Sequence, residues 1–277
     1  MEIFKKLLLP ISSEFFNENV IERVKNIVEV FGSELVVAYI VEKKTMEKVN
    51  EVAELFLTEE QRKEMEEEVI NESKLIASYF FKKIEKEIGE HENMIVFGEY
   101  SEEIKKIVEE KEITCVVTSF EKECLLKYRL FEMLPIPILV EFGKGEKRIL
   151  GVCSNLAPNK RVPKITLEMA EKMNYEPFFI YIVDKEEKVE VDEHGHKIER
   201  DLDYLKMKAK KFVEKYKDKA TIRVSIGTIE NEAAKYADEI NADLVVVGRE
   251  MKRKGIFGKE IKKEMVEKVK HSLLLLN

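Results

Sequence analysis

One order of short apolar runs and longer amphipathic stretches occurs twice along this chain. Such a repeat restricts the fold to units that can be built in tandem. In the first pass, Leu7-Leu8-Leu9-Pro10-Ile11 is an apolar run closed by Ser12. Val20, Val24, Ile27, Val28 and Phe31 then fall at helical spacing, and Gly32 follows as a natural stop. A second run, Glu34 to Val41, precedes a charged stretch expected to be helical from about residue 45 to Ile88, with Gly89 ending it. Asn93 to Gly98 is the third run, and Ser101 is the expected cap of a helix over 102–111. Ile113 to Thr118 is the fourth. A helix over Leu125–Leu134 is stopped by Pro135, and Ile136 to Phe142 is the fifth run.

The order then restarts. Runs at 147–154, 178–183, 220–226 (closed by Gly227), 242–248 and 272–276 alternate with helical patterns at 162–173, 201–216, 230–240 and 259–270. Continuous apolar runs alternating with helices predict parallel sheets buried on both faces. The fold class is therefore α/β, with five strands and four helices in each copy. The polar run Gly143-Lys144-Gly145-Glu146 suits a short linker, which puts the domains at 1–143 and 147–277. Ile11-Ser12 and Cys153-Ser154 end the two first strands, where open α/β sheets place ligands.

The 277 residues carry 37% charged side chains, mostly Lys and Glu, with no Trp and Gln61 as the one glutamine. Ion-pair networks of a hot-environment protein and long solvated helices both account for that excess. The net charge of −7 gives no electrostatic reason to expect nucleic acid as a partner. Cys115, Cys124 and Cys153 form no CxxC, which points to a reducing cytoplasm. No stretch has the length of a membrane span, and the run after Lys5-Lys6 is too short for a signal-peptide core.

Ala242-Asp243-Leu244-Val245-Val246-Val247-Gly248, Tyr236-Ala237 upstream of it, Pro135-Ile136-Pro137-Ile138-Leu139-Val140, and Gly98 and Gly227 at the ends of the third strands resemble the universal stress protein family in tandem form. The resemblance implies two Rossmann-like domains of the adenine nucleotide alpha hydrolase-like type. In members of that family that bind ATP, an Asp ends strand one and contacts the adenine region. A Gly-x-x-Gly after strand four, with a later Gly-Ser or Gly-Thr, cradles the phosphates. Glycines let backbone N–H groups approach phosphate oxygens, and a helix N-terminus adds a favourable dipole.

Both copies depart from that pattern. The strand-one Asp position is Ser12 in one and Ser154 in the other. After Thr118 the first copy runs Ser119 to Cys124 without a glycine, so ATP is not expected there. The second copy keeps Gly248, has Met251 at the second glycine, and places Lys259-Glu260 where Gly-Ser would stand. The resemblance assigns Ser154, Ile182, Val247, Gly248, Arg249, Gly255, Gly258, Lys259 and Glu260 to an adenine-nucleotide site for ATP or AMP, with Mg only alongside ATP. The loop has two readings, an improvised anion site or a flexible segment with solvated lysines.

Other chemistry is sparse. His194-Gly195-His196 among Asp192, Glu193 and Glu199 has metal-ligand donors but suits the exposed turn of a small hairpin better. His91 and His271 stand isolated. Cys115 and Cys153 are expected in the core, and Cys124 has no neighbouring His. Phe80-Phe81 are candidates for contact with the other copy. The resemblance implies pairing of fifth strands, here Ile138 to Phe142 with Leu273 to Leu276, which gives an internal pseudo-dimer that can dimerise again. The expected function is a non-enzymatic stress sensor or adaptor with an unidentified protein partner. The alternatives are a slow Mg-dependent ATP hydrolase, or a scaffold without nucleotide.

Overall fold

A computed structural model describes residues 1–12, 17–42, 58–119, 126–143, 145–184, 186–192, 194, 196–248 and 261–276. Two compact units divide the chain, Met1–Leu134 and Pro135–Asn277.

In the first unit β1 (Lys6–Ile11), β2 (Glu34–Glu42), β3 (Glu92–Gly98) and β4 (Cys115–Ser119) form a parallel sheet in the order β4-β1-β2-β3. Leu7 stands opposite both Leu35 and Cys115, and Val37 opposite Asn93. Leu7, Leu8 and Leu9 are fully buried, because a central parallel strand is covered on both faces. Helix α1 (Asn19–Phe31) turns Val20, Val24 and Ile27 inward and stops at Gly32, whose φ of 65° suits glycine. Helix α2 runs Glu59–Ile88 and stops at Gly89. Its start is a reciprocal cap: the Gln61 N–H donates to the Thr58 hydroxyl, and the Thr58 N–H to the Gln61 side-chain oxygen. The part of the expected helix before Thr58 falls largely on 43–57, outside the described residues. Phe80 of α2 stacks on Tyr39 of β2 in the same unit, 6.3 Å between ring centroids.

Helix α3 (Tyr100–Glu110) corrects one expectation. Its N-cap is Glu99, whose carboxylate accepts from the Glu102 N–H at 2.9 Å, and Ser101 is fully buried inside the first turn. Glu99 takes the role because it is extended and outside the helix, which a capping side chain needs. Helix α4 (Leu126–Met133) ends the unit.

The second unit holds β5 (Ile138–Glu141), β6 (Glu146–Ser154), α5 (Arg161–Met173), β7 (Glu176–Asp184), α6 (Leu202–Tyr216), β10 (Thr221–Gly227), α7 (Ile229–Glu239), β11 (Ala242–Gly248), α8 (Ile261–Lys268) and β12 (Ser272–Leu276). Between β7 and α6 a hairpin, β8 (Val189–Val191) with β9 (Lys197–Glu199), is inserted. The sheet order is β10-β7-β6-β11-β12-β5, parallel except that β5 lies antiparallel to β12 with Leu273 opposite Val140. β5 pairs with β12, in keeping with its place in the second unit.

The base of this sheet is fastened by the acid of the Ala242-to-Gly248 run. Asp243 accepts from the Tyr175 hydroxyl at 2.6 Å and from the Gly145 N–H at 3.1 Å. His271 is not isolated, as its sequence neighbours suggested. Its ring nitrogens contact the Ala242 carbonyl at 2.6 Å and Asp238 at 2.9 Å, tying the start of β12 to α7 and β11.

Candidate functional site

The carboxyl ends of β6, β7 and β11 bring four of the sequence-assigned residues together. Ser154 stands opposite Ile182, and Val247 stands opposite Val152 two residues before Ser154. Gly248 closes β11 beside Leu276. Ser154, Ile182 and Val247 are buried, and Gly248 is half-buried. A Cβ added to Gly248 would come within 3.3 Å of Val162 at the start of α5, so this strand end is closely packed already. Arg249, Gly255, Gly258, Lys259 and Glu260 lie outside the described residues.

The loop after Ser154 is held by its own side chains. The Ser154 hydroxyl accepts from the Leu156 N–H at 2.9 Å, and the Asn159 oxygen accepts from the Ser154 N–H at 3.0 Å. The Asn159 amide donates back to the carbonyls of Ser154 and Ala157, each at 2.7 Å. Asn159 has φ of 51°, a conformation that asparagine tolerates better than most residues. Asn155 reaches the other way. Its amide donates to the Val189 and Glu187 carbonyls at 2.7 and 3.1 Å, and its oxygen accepts from the Asp184 N–H at 2.7 Å. Asn155 and Asn159 were not singled out from the sequence. The available signal was two asparagines in a turn directly after a first strand.

In the first unit the equivalent strand ends carry Ser12 and Ser119, both buried. The Ser119 hydroxyl accepts from the Asn17 N–H at 3.0 Å, which ties the strand-four terminus to the start of α1. Cys115 and Cys153 are buried free thiols, and burial pushes the Cys153 pKa up. Cys124 is outside the described residues.

The hairpin forms where the sequence placed it. Asp192 accepts from the N–H groups of His194 and His196 and from the His196 ring. The bond from the His196 N–H leads in holding the Asp192 carboxyl below its usual range. Among the described residues no three His, Cys, Asp or Glu side chains are grouped as a metal site. Nor is any described helix long and apolar enough to cross a membrane.

Glu190 clamps the hairpin to α6, pairing with Lys208 at 2.5 Å and Arg200 at 3.1 Å. Burial works to raise its pKa, but the hydrogen bonds from Lys208, Arg200 and Tyr204 outweigh that and hold it below the usual value. A depressed folded-state pKa gives stability that is present above the ordinary glutamate range and lost as pH falls through the folded value. The protection of amides over 189–199, taken relative to the intrinsic exchange rate at each pH, is therefore expected to fall on acidification below that range. Glu190→Gln should be poorly protected already at neutral pH and should lose this acid step. An unchanged acid step in Glu190→Gln would assign it to another group.

Beside the clamp, a cleft of about 340 Å³ opens between the 155–159 loop, the hairpin and α6. Tyr181, Phe212 and Tyr216 line it, as do Lys208, Lys211 and Lys215. None of the sequence-assigned nucleotide residues does.

Residues 3–131 match the family model described as the universal stress protein family. Among solved structures, a putative universal stress protein from Pseudomonas aeruginosa superposes with a TM-score of 0.63 at 12% identity, over 99% of this chain and 93% of that one. A universal stress protein from Archaeoglobus fulgidus gives 0.62 at 14% identity, over 98% and 96%. These likenesses extend the shared fold over both units. No curated protein matches by sequence.

Proposed function

Because residues 3–131 match the universal stress protein family and the fold shared with its solved structures extends over both units, we propose that the chain is a non-enzymatic stress sensor or adaptor with a weak adenine-nucleotide site in the second domain alone. The observation that carries this reading is the end of β6. Where ATP-binding relatives place an Asp, this chain has Ser154, and its hydroxyl is already engaged by the Leu156 N–H. A nucleotide there gains no carboxylate contact. It would rest on the strand-end backbone around Val247 and Gly248, with Ile182 flanking. In the first domain Ser119 stands where the second has Gly248, since Cys115 faces Leu7 as Leu244 faces Ile149, so the backbone approach that a phosphate needs is screened by a side chain.

Protein partners of a cytoplasmic adaptor remain the working end of this function. The antiparallel pairing of β5 with β12 supports an internal pseudo-dimer of the two repeats, which covers an apolar strand that would otherwise be an exposed edge.

Calorimetric titration with ATP and AMP tests the nucleotide part. One weak site per chain is expected, weakened further in Gly248→Val and unchanged in Thr118→Val. Circular dichroism checks the Gly248 variant, since its side chain must displace Val162 slightly. Two sites per chain, or equal binding in Gly248→Val, would refute the assignment. Phosphate release from ATP is expected at background with or without Mg²⁺. Mg²⁺-dependent turnover would make the chain a slow hydrolase instead.

A further inference from the structure

We propose that the cleft between α6 and the β8–β9 hairpin is a second ligand site, for a small planar aromatic anion, separate from the nucleotide position at the strand ends. Its volume of about 340 Å³ lies at the lower end of small-molecule pockets. That admits one or two rings and excludes an extended dinucleotide.

The floor is aromatic because of strand alternation. Phe179 and Tyr181 of β7 point to the same face of the sheet, and α6 answers with Phe212 and Tyr216. Ring centroids lie 5.1 Å apart for Tyr181 and Phe212, and 4.8 Å apart for Phe212 and Tyr216. Such a cluster lines the cleft with aromatic rings, against which a planar ring packs favourably.

The rim is cationic because Lys208, Lys211 and Lys215 follow one another at spacings of three and four on α6, and so share a face. Lys208 is neutralised by Glu190. Lys211 and Lys215 have no carboxylate partner among the described residues, and the Lys215 ammonium stands 5.1 Å from the Tyr216 ring centroid. The Asp and Asn side chains of the cleft are already engaged. Asp192 is held by the His194 and His196 N–H groups, and the Asn155 and Asn159 amides are spent on loop carbonyls. What remains for a ligand is aromatic surface, the Tyr181 and Tyr216 hydroxyls and two ammonium groups. A cation would be repelled by the lysines, and a small inorganic anion would leave the floor uncovered.

The experiment uses the full chain, with phenyl phosphate as probe and inorganic phosphate and cyclohexyl phosphate as comparators, followed by calorimetry and amide spectra. Saturable binding of phenyl phosphate in the millimolar range or tighter is expected, shifting the amides of Asn159 and Phe212. Lys211→Glu with Lys215→Glu, both exposed positions, should weaken it by about tenfold or more, corresponding to ~1.4 kcal/mol. Gly248→Val should leave it unchanged, which separates this site from the nucleotide position. No saturable shift at these amides would overturn the proposal. So would equal binding by the double variant, or inorganic phosphate binding as well as phenyl phosphate.

Discussion

Phe179→Ala is expected to destabilise the second domain by about 3–5 kcal/mol, the range for removing a buried aromatic ring. Phe179 is fully buried and sits 5.7 Å from Phe212 and 5.5 Å from Tyr216, centroid to centroid. Its ring also fills the place where a side chain on β6 would be. A Cβ on Gly151 would meet Phe179 at 2.6 Å and the Thr166 hydroxyl at 2.7 Å. Gly151→Ala alone should therefore cost about 1–3 kcal/mol through overpacking. Combined with Phe179→Leu it should cost less than the two single changes added, because the pair shares one space. Urea unfolding followed by amides assigned to β6, β7 and α6 measures this domain by itself, which matters because two domains need not unfold together. A loss below about 1 kcal/mol in Phe179→Ala would mean that the ring is not the keystone between β6 and α6.

The second large effect is expected at Asn155. Asn155→Leu keeps a side chain of similar length and removes three hydrogen bonds to backbone, at Asp184, Glu187 and Val189. Stranding such groups costs about 1–3 kcal/mol where they are buried, so a total on the order of 3 kcal/mol is expected. The loss should be local as well as global. Amides of 184–191 should exchange faster than those of β11, since Asn155 joins the end of β6 to the strand that begins the hairpin. Uniform loss of protection across the domain, with no excess at 184–191, would contradict this role.

What the sequence made legible was whatever one element carries by itself. The apolar runs at Leu7–Leu9 and Leu244–Val247 are strands because parallel strands are covered on both faces. Gly32 and Gly89 stop helices because each takes a positive φ. The meeting of Ser154, Ile182, Val247 and Gly248 followed from strand order, since these residues end adjacent strands. What stayed hidden depends on partners far along the chain. The Asp238 and Ala242 contacts of His271 need α7, β11 and β12 in place. Ser101 had the chemistry of a cap, but the chain entered the helix two residues earlier, and Glu99 was the residue left outside. The lysine-rimmed cleft needs a hairpin folded back on α6, and no spacing within either element reveals that. The family model matches the first domain, although the clearest motif, Ala242 to Gly248, lies in the second.

The measurement that bears most directly on the central claim is the amount of adenine nucleotide carried by freshly purified protein, quantified by mass spectrometry after denaturation. A weak site confined to the second domain predicts well under one nucleotide per chain, and none after gel filtration. One tightly held ATP per chain, or nucleotide in both domains, would contradict the account and show that the altered strand ends still bind as those of ATP-binding relatives do.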